Sequence, residues 1–189
     1  MYKQKLPIIL ASKSPRRQEL MTLMGLDFQV VLKEVDESYP SALSPSEIAV
    51  YIAEKKANAF IKDRSSNVVI TADTIVSYNN EILGKPNDAL HAAQILSKLS
   101  GTNHQVYTGV SIAYRDQLKS FYDITEVFFN VLTKEQIAYY IENYNPLDKA
   151  GAYGIQDWIG LVAVEKIIGS YTNVMGLPTE KLYKALSEF

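Results

Sequence analysis

A segment near the start of the chain combines hydroxyl and guanidinium groups in the pattern of an anion site. The segment is Ser12-Lys13-Ser14-Pro15-Arg16-Arg17, in which Ser14 suits a helix N-cap and the proline suits the first helical position. Cations in a first helical turn destabilise the helix by about 0.3–1 kcal/mol each, because they lie at the positive end of its dipole. A bound anion reverses that effect. The alternative is that both arginines lie on the surface and pair with carboxylates such as Glu19. The candidate phosphate ligands are Ser12, Ser14, Arg16 and Arg17.

An acidic residue interrupts an apolar segment later in the chain. Residues 68–76 are rich in β-branched side chains and predict a strand buried on both faces, with Asp73 inside it. A buried carboxylate is costly unless it is paired or binds a metal. Asp73 is therefore a candidate catalytic or metal-binding residue beside a cleft. The alternative is that the strand ends near Ala72 and that Asp73 only begins a turn.

Further carboxylates and lysines are candidates for the same site. Asp36 and Glu37 lie in an acidic turn, and either of them, together with Asp73, offers the oxygen ligands that Mg²⁺ or Mn²⁺ takes in open sites. A solvated turn is the alternative. Lys85 lies between a glycine and a proline, where the backbone is locally fixed, so its ammonium reaches toward a phosphate from a defined position. Lys56 lies on a predicted helix, where spacing alone favours a solvated residue.

A glycine-bearing loop at residues 145–156 completes the set of candidates. Its glycines allow the backbone to approach a ligand closely, and the amide of Gln156 is able to read the edge of a base. A simple turn explains the glycines equally well. His91 and His104 have no partner at ligand spacing, so we expect both to be structural.

An alternation of strands and helices must position these residues. Apolar runs predict the strands, and capping patterns at Ser44 and Thr133 predict helix starts. The order predicts an α/β fold with a mixed β-sheet flanked by helices. The predicted strands are residues 6–11, 28–32, 68–76, 81–83, 105–114, 120–132 and 159–168. The predicted helices are residues 15–24, 44–62, 88–99, 133–143 and 179–186.

The composition argues against several classes of protein. The 189 residues suffice for one domain over residues 1–189, either undivided or formed by two lobes around a cleft. The net charge of −2 argues against a general nucleic-acid binder, and the absence of cysteine excludes disulfides and thiolate sites. The sequence shows no signal peptide and no apolar run of roughly 18 residues. We therefore expect a cytoplasmic protein without membrane or nucleic-acid partners.

Five motifs, taken together and in this order, resemble the Maf family of nucleotide pyrophosphatases. The resemblance spans nearly the whole chain and implies an elongated α/β fold with a central cleft, similar to the inosine triphosphate pyrophosphatase architecture. It also implies hydrolysis of nucleoside triphosphates to the monophosphate and pyrophosphate with a divalent metal, by a homodimer. The motifs are LASKSPRR at residues 10–17, ADTIV at 72–76, GKP at 84–86, LSG at 99–101 and DKAGAYGIQ at 148–156.

The same resemblance implies roles for the candidate residues. Asp73 would accept the proton of a water molecule, and Asp73 with Glu37 would form the metal-linked side of the site. The residues at the phosphates would be Arg16 and Arg17, assisted by Lys56 and Lys85.

The last motif resembles the branch of the family that acts on dTTP and UTP rather than the branch that acts on 7-methyl-GTP. Arg16, Thr74 and Gln156 would then set the choice of base. The chain departs from the family pattern at Asn145, where an acid is common, and at Asp157-Trp158, where smaller residues are usual. Both departures are expected at the rim of the pocket.

The sequence is also compatible with two other functions. One is a nucleotide-binding regulator of cell division that hydrolyses slowly or not at all, which a turnover measurement would distinguish from an enzyme. The other is a pyrophosphatase for another base, such as 7-methyl-GTP or a modified nucleotide, which a panel of substrates would identify.

Overall fold

Strands and helices alternate along most of the chain. The computed structural model describes residues 4–189, which contain seven strands, seven α-helices and three short 3-10 helices. The strands are β1 (Ile8–Leu10), β2 (Phe28–Val30), β3 (Val68–Tyr78), β4 (Glu81–Leu83), β5 (Asn103–Tyr114), β6 (Gln117–Phe129) and β7 (Val164–Ile168). The α-helices are α1 (Pro15–Leu23), α2 (Pro45–Asn58), α3 (Ala89–Leu99), α4 (Lys134–Tyr144), α5 (Trp158–Val162), α6 (Tyr171–Met175) and α7 (Thr179–Leu186). The 3-10 helices are Asp63–Ser65, Pro146–Asp148 and Ala150–Ala152.

The seven described strands form one mixed sheet, which confirms the predicted α/β fold. The strand order is β2-β1-β3-β5-β6-β7, with β4 paired to the far end of β3. β1 is parallel to β2 and β3, whereas the other pairs are antiparallel. α1 leads from β1 to β2, and α2 then leads across to β3 on the other side of β1. In open α/β sheets, ligands bind beyond the carboxyl ends of the strands where the strand order reverses in this way.

The central strand β3 continues past the end of its parallel neighbour. β1 ends at Leu10, opposite Ile70, and β4 pairs with β3 only from Val76 onward. Residues 71–75 therefore have a strand partner on the β5 side alone, and their other edge opens beyond the carboxyl end of β1. Asp73 thus lies in the middle of a long strand. The cleft opens beside it because β1 ends, and not because β3 does.

Side chains alternate along β3 between two packed layers. The main core packs against α1, α3, α4 and α7 and includes Ile70 of β3. Val69 and Ile75 instead belong to two smaller clusters that include residues of α2. Since successive side chains of a strand point to opposite faces, Asp73 faces α2 whereas Thr74 faces α1.

The predicted helix starts are largely correct. Capping boxes are present at Ser44 and Thr133. α1 begins after Ser14, as predicted, but the Ser14 side chain makes no capping hydrogen bond. Its backbone N–H donates to Oγ of Ser12 at 3.2 Å instead. The first turn of α1 therefore keeps backbone N–H groups for another acceptor.

The carboxyl-terminal part differs from the prediction in three places. The predicted strand over residues 159–168 is wrong in its first half, which forms α5. Ile159 and Ala163 are fully buried at helical spacing, and a short apolar run does not distinguish strand from helix by periodicity. α6, which is capped by Ser170, is not predicted, and the strand predicted over 120–132 lies three residues earlier, as β6.

The helices of the fold are short. The longest described helix, α2, has 14 residues. Within residues 4–189, no helix combines the length and the apolar composition needed to cross a membrane.

Candidate active site

A large cavity opens beyond the carboxyl ends of β1 and β2. Its volume is about 1180 Å³, and its walls come from the segments that follow these two strands, from α2 and β3, and from the loop after α4. This volume suits a ligand of nucleotide size. Every residue that the sequence nominates for the site lies in the cavity lining, although their roles remain predictions. These residues are Ser12, Ser14, Arg16, Arg17, Asp36, Glu37, Lys56, Asp73, Thr74, Lys85 and Gln156.

The ammonium of Lys56 lies between two carboxylates of this cavity. Its Nζ is 2.7 Å from Oδ1 of Asp73 and 2.9 Å from Oε1 of Glu37. Burial raises the pKa of Glu37, but hydrogen bonding and charge from Lys56, with the charges of Lys85 and Arg17, outweigh it and hold that pKa below its usual value. The side chain of Lys56 is only 16% exposed. Lys56 is therefore not the solvated helix residue that spacing alone favours.

Close packing of α2 against β3 and β5 fixes this arrangement. The hydroxyl of Thr71 donates to the carbonyl oxygen of Ala53 in the middle of α2 at 2.6 Å. Gly109 of β5 pairs with Asp73 in the sheet, and a Cβ at Gly109 would lie 2.3 Å from the carbonyl group of Ala49. Only glycine admits a helix backbone at this distance. The separation between Asp73 and α2 is thus set by backbone contacts.

Arg17 is bound by four acceptors of the protein itself. Its Nε donates to the carbonyl oxygen of Gly176 at 2.8 Å, and Nη1 donates to Oγ of Ser12 at 3.2 Å and to the carbonyl oxygen of Ala72 at 3.0 Å. Nη2 donates to Oγ1 of Thr74 at 3.0 Å. A guanidinium has five N–H donors, so one is left. A paired hydrogen bond from Arg17 to phosphate would require the loss of one of these contacts.

The hydroxyl hydrogen of Thr74 is directed away from the cavity. Thr108 donates its own hydrogen to the carbonyl oxygen of Asn173 at 3.0 Å. The 3.0 Å contact between Thr74 and Thr108 must therefore be a donation from Thr74 to Thr108. Since Thr74 also accepts from Arg17, its oxygen is able to serve a ligand only as an acceptor.

A chain of charges forms part of the cavity lining, and it includes a residue that the sequence analysis missed. Nη1 of Arg16 lies 3.5 Å from Oδ2 of Asp148, and Oδ1 of Asp148 accepts from Nζ of Lys149 at 2.8 Å. Burial raises the pKa of Asp148, but Lys149 and Arg16 outweigh it and hold that pKa below its usual value. The Lys149 side chain is only 10% exposed, and it lines the cavity. Its one signal in the sequence is its place in the glycine-bearing motif at residues 148–156.

The loop after α4 has an unusual backbone conformation. Gly151 and Ala152 both lie in the left-handed region, with φ of 70° and 59°. This conformation costs a residue with a Cβ about 1–2 kcal/mol. Space also requires glycine at the first position, because a Cβ on Gly151 would lie 2.9 Å from the side chain of Val76. The loop is therefore fitted closely against β3.

A buried tyrosine holds the end of this loop. The hydroxyl of Tyr140 donates to Oδ2 of Asp157 at 2.7 Å and accepts from the backbone N–H of Gly154 at 3.0 Å. Burial raises the pKa of Tyr140, and the hydrogen bond to Asp157 adds to this effect. Gln156, which lines the cavity, lies between the two residues that Tyr140 binds.

The departures from the family pattern support the loop from outside the cavity. Asn145 ends α4 with a φ of 42°, a conformation that asparagine tolerates better than most residues. Trp158 packs edge-on against Tyr139, with ring centroids 4.9 Å apart. Among the residues that the structure describes, the cavity lining includes neither of the two departures.

The remaining candidates differ in their surroundings. Lys85 follows β4 at the exposed cavity edge, and no carboxylate oxygen of residues 4–189 lies within 4 Å of its Nζ. His104 is buried away from the cavity, where its Nε2 is 2.7 Å from the hydroxyl oxygen of Tyr153. Burial lowers the pKa of His104 to about 4. His104 therefore belongs to the packing of the core.

The carboxylates of the cavity suit one kind of metal site. Within residues 4–189, no group of three or more potential ligand side chains is able to enclose a metal ion. Mg²⁺, however, is usually held by one or two carboxylates together with water and substrate phosphates. Asp73 and Glu37 each contact Lys56 through one oxygen, so each has a second oxygen for an ion that shares its coordination with a nucleotide.

Solved structures share this fold. A HAM1 protein from Coxiella burnetii is similar with a TM-score of 0.52 and 13% sequence identity, over 98% of this chain and 100% of that chain. The Ham1 protein from Staphylococcus aureus is similar with a TM-score of 0.51 and 18% identity, over 95% of this chain and 99% of that chain. These likenesses confirm the expected fold.

Sequence comparison identifies much closer relatives. The dTTP/UTP pyrophosphatase of Flavobacterium johnsoniae is 50% identical over 185 residues, which are 97% of this chain and 95% of the relative. The dTTP/UTP pyrophosphatase of Bacteroides fragilis is 50% identical over 183 residues, with 96% and 95% covered. The family model described as Maf-like protein matches residues 7–189. The chain therefore belongs to the Maf family.

Proposed function

We propose that this protein is a nucleoside triphosphate pyrophosphatase that hydrolyses dTTP and UTP, and modified pyrimidine nucleotides, to the monophosphate and pyrophosphate. The observation that carries the proposal is the convergence of Asp73 and Glu37 on Lys56 in one cavity with the arginine-bearing start of α1. The choice of substrate is supported by relatives that are 50% identical over almost their whole length and are named for dTTP and UTP.

In the proposed reaction, water attacks the α-phosphorus in line with the leaving group. A new P–O bond forms as Asp73 accepts a proton from the water. The bond between the α-phosphorus and the bridging oxygen breaks, and pyrophosphate leaves with the bonding electrons. Lys56 orients the Asp73 carboxylate through their 2.7 Å contact. A positioned general base typically contributes about 10²–10⁴ to the rate.

Cationic groups around the cavity bind the triphosphate and offset its charge. Arg16, Lys85, the serine hydroxyls and the backbone N–H groups of α1 contact phosphate oxygens, because helix amino termini and guanidinium groups both favour such anions. Arg17 mainly holds Ser12 and Thr74 in place. Asp73 and Glu37 would hold a divalent cation, Mg²⁺ or Mn²⁺, which when bound neutralises phosphate charge.

Thr74 and Gln156 contact the base in this proposal, with Arg16 beside them. The oxygen of Thr74 has no hydrogen to offer, since that hydrogen goes to Thr108. Uracil and thymine carry an N3–H donor, whereas cytosine carries an acceptor at the same position. An acceptor at Thr74 therefore matches the two bases for which the relatives are named.

We further propose that residues 1–189 act as one domain, in the cytoplasm, as a homodimer without nucleic-acid or membrane partners. The family model supports the single domain, because it extends over residues 7–189. The dimer rests on the family resemblance. Light scattering on a size-exclusion column would measure the mass in solution, and a monomer would contradict the proposal.

The decisive experiment measures pyrophosphate release from dTTP, UTP, CTP, GTP and 7-methyl-GTP with Mg²⁺ or Mn²⁺, alongside an EDTA control. We expect strong metal-dependent release from dTTP and UTP. Asp73→Asn should lower turnover about 10²–10⁴-fold while the fold stays intact by circular dichroism. Pyrophosphate release only from the triphosphate of another base would contradict the base assignment. If no substrate gives metal-dependent release, the binding-regulator alternative would replace the enzyme.

A further inference from the structure

Lys149 is a buried cation at the wall of the cavity. The whole residue is 9% exposed, and it belongs to the cavity lining. A lysine ammonium is strongly hydrated, so burial is costly unless the charge is compensated. Its charge faces two carboxylates, but only one of them accepts a hydrogen bond from it. Asp148, at 2.8 Å, is itself 59% exposed, and Asp157 is 3.9 Å away, beyond hydrogen-bond length.

The position of Lys149 places it between two residues of the proposed base site. On one side, Asp148 connects it to Arg16 at 3.5 Å. On the other side, Asp157 is the residue next to Gln156. All three residues line the one cavity, so a ligand held between Arg16 and Gln156 lies in the space that Lys149 also borders.

The chemistry of an ammonium is selective because it donates hydrogen bonds and never accepts them. Lys149 has three N–H donors, and the structure assigns one of them to Asp148. Uracil and thymine carry an oxygen acceptor at position 4. Cytosine carries an amino group there, whose hydrogens would face the ammonium donor to donor. A fixed ammonium at this place accepts the first two bases and penalises the third.

We propose that Lys149 donates a hydrogen bond to the 4-oxygen of uracil or thymine and thereby excludes cytosine. This inference rests on the proposed function, and it adds a base-reading residue to Arg16, Thr74 and Gln156. It also accounts for a lysine that is kept at the cavity wall with only one hydrogen bond from its ammonium to the described residues.

The test compares UTP with 4-thio-UTP, in which sulfur, a much weaker hydrogen-bond acceptor, replaces the 4-oxygen while N3 keeps its hydrogen. In the unmodified protein, exchange of the 4-oxygen for sulfur should lower kcat/KM about 10-fold, as expected when one charge-assisted hydrogen bond is weakened. In Lys149→Met, the two substrates should be hydrolysed with nearly equal kcat/KM, and CTP should gain relative to UTP. If Lys149 served stability alone, Lys149→Met would lower kcat/KM for both substrates together. The ratio of the two kcat/KM values would then stay unchanged.

Lys13→Met is the matched control, because it removes the same charge from an exposed lysine in the lining of the same cavity. It should keep the full ratio between UTP and the analogue. Lys149→Arg should keep a preference for UTP, because it retains a donor. An unchanged ratio in Lys149→Met would overturn the proposal, as would equal hydrolysis of the two substrates by the unmodified protein, a measurement that needs no variant. Failure of the unmodified protein to release pyrophosphate from UTP would instead contradict the proposed function.

Discussion

Gly109 lies directly opposite Asp73 in the β3–β5 pair, and the backbone of α2 passes over it. The absent side chain at Gly109 is what lets α2 bring Lys56 to within 2.7 Å of Asp73. A glycine outside the cavity lining thus fixes the separation of two residues within it.

Gly109→Ala should lower both stability and activity. The new Cβ would lie 2.3 Å from the carbonyl of Ala49 and 2.5 Å from the backbone nitrogen of Val50, and backbone atoms yield little. Forced packing of this kind typically costs about 1–3 kcal/mol, and a shift of about 1 Å at a catalytic contact costs about 10²-fold in rate. Urea unfolding and pyrophosphate release measure the two effects.

Gly84→Ala provides the stability control for this variant. A Cβ there would have no atom within 4 Å, so its midpoint of unfolding should stay close to that of the unmodified protein. If Gly109→Ala kept full turnover while it lost stability, α2 would not set the geometry of the site.

The two neighbouring arginines should respond differently to replacement by lysine. Arg17→Lys should be destabilising, because a lysine cannot reach four acceptors at once, and each buried acceptor without a donor costs about 1–3 kcal/mol. Arg16→Lys should change the free energy of unfolding by about 0.5 kcal/mol or less and should act mainly on KM. Equal stability of the two variants in urea would show that the contacts of Arg17 are not needed for the fold.

The residues around Asp73 show what the sequence is able to predict. Asp73 stands out because a carboxylate among β-branched residues violates a local rule. The pairing of Lys56 with Asp73 does not stand out in the sequence, because it depends on how closely α2 packs on a glycine of β5. The contacts of Arg17 are hidden for the same reason, since its acceptor Gly176 lies near the other end of the chain.

In the fold as well, local features are predictable from the sequence, whereas features that depend on tertiary contacts are not. The alternation of strands and helices is written in local periodicity and capping residues, and it is correct over most of the chain. The prediction is wrong at α5, because an apolar residue such as Ile159 fits a strand and a helix equally well. Only the packing of this residue in the core makes the segment helical. Lys149 was missed because burial of a lysine depends on tertiary contacts that spacing does not reveal.

His104 should make stability depend on pH. Burial lowers its folded-state pKa from 6.5 to about 4, so between these values the unfolded chain binds a proton that the folded protein does not. The stability that His104 contributes is fully present above pH 6.5 and is lost as the pH falls toward 4, by about 1.4 kcal/mol per pH unit.

Urea unfolding at several pH values in this window measures the effect. His104→Gln should show a shallower dependence than the unmodified protein, by the same amount per pH unit. His91→Gln, which alters the chain's one other histidine, should keep the full slope. Parallel curves for all three proteins would contradict the assignment.

Tyr140→Phe should loosen the loop that presents Gln156. The change leaves the carboxylate of Asp157 and the N–H of Gly154 without their partner, at about 1–3 kcal/mol. We expect the KM for dTTP to rise more than kcat falls, because the loop lies at the base and not at the α-phosphate. Tyr139→Phe, on the exposed side of the same helix, is the control and should change neither quantity. A Tyr140→Phe protein with normal stability and normal KM would show that the loop holds its position without the hydroxyl.

The lysine between the two acids has a consequence for how the site comes into being. Two carboxylates that face each other would repel, yet Lys56 lies within 3 Å of both and balances one of their charges. The chain thereby closes its own ion cluster as it folds, with groups that it carries itself. A nucleotide then binds to a charge cluster that is already formed, and its binding is not the event that assembles the site.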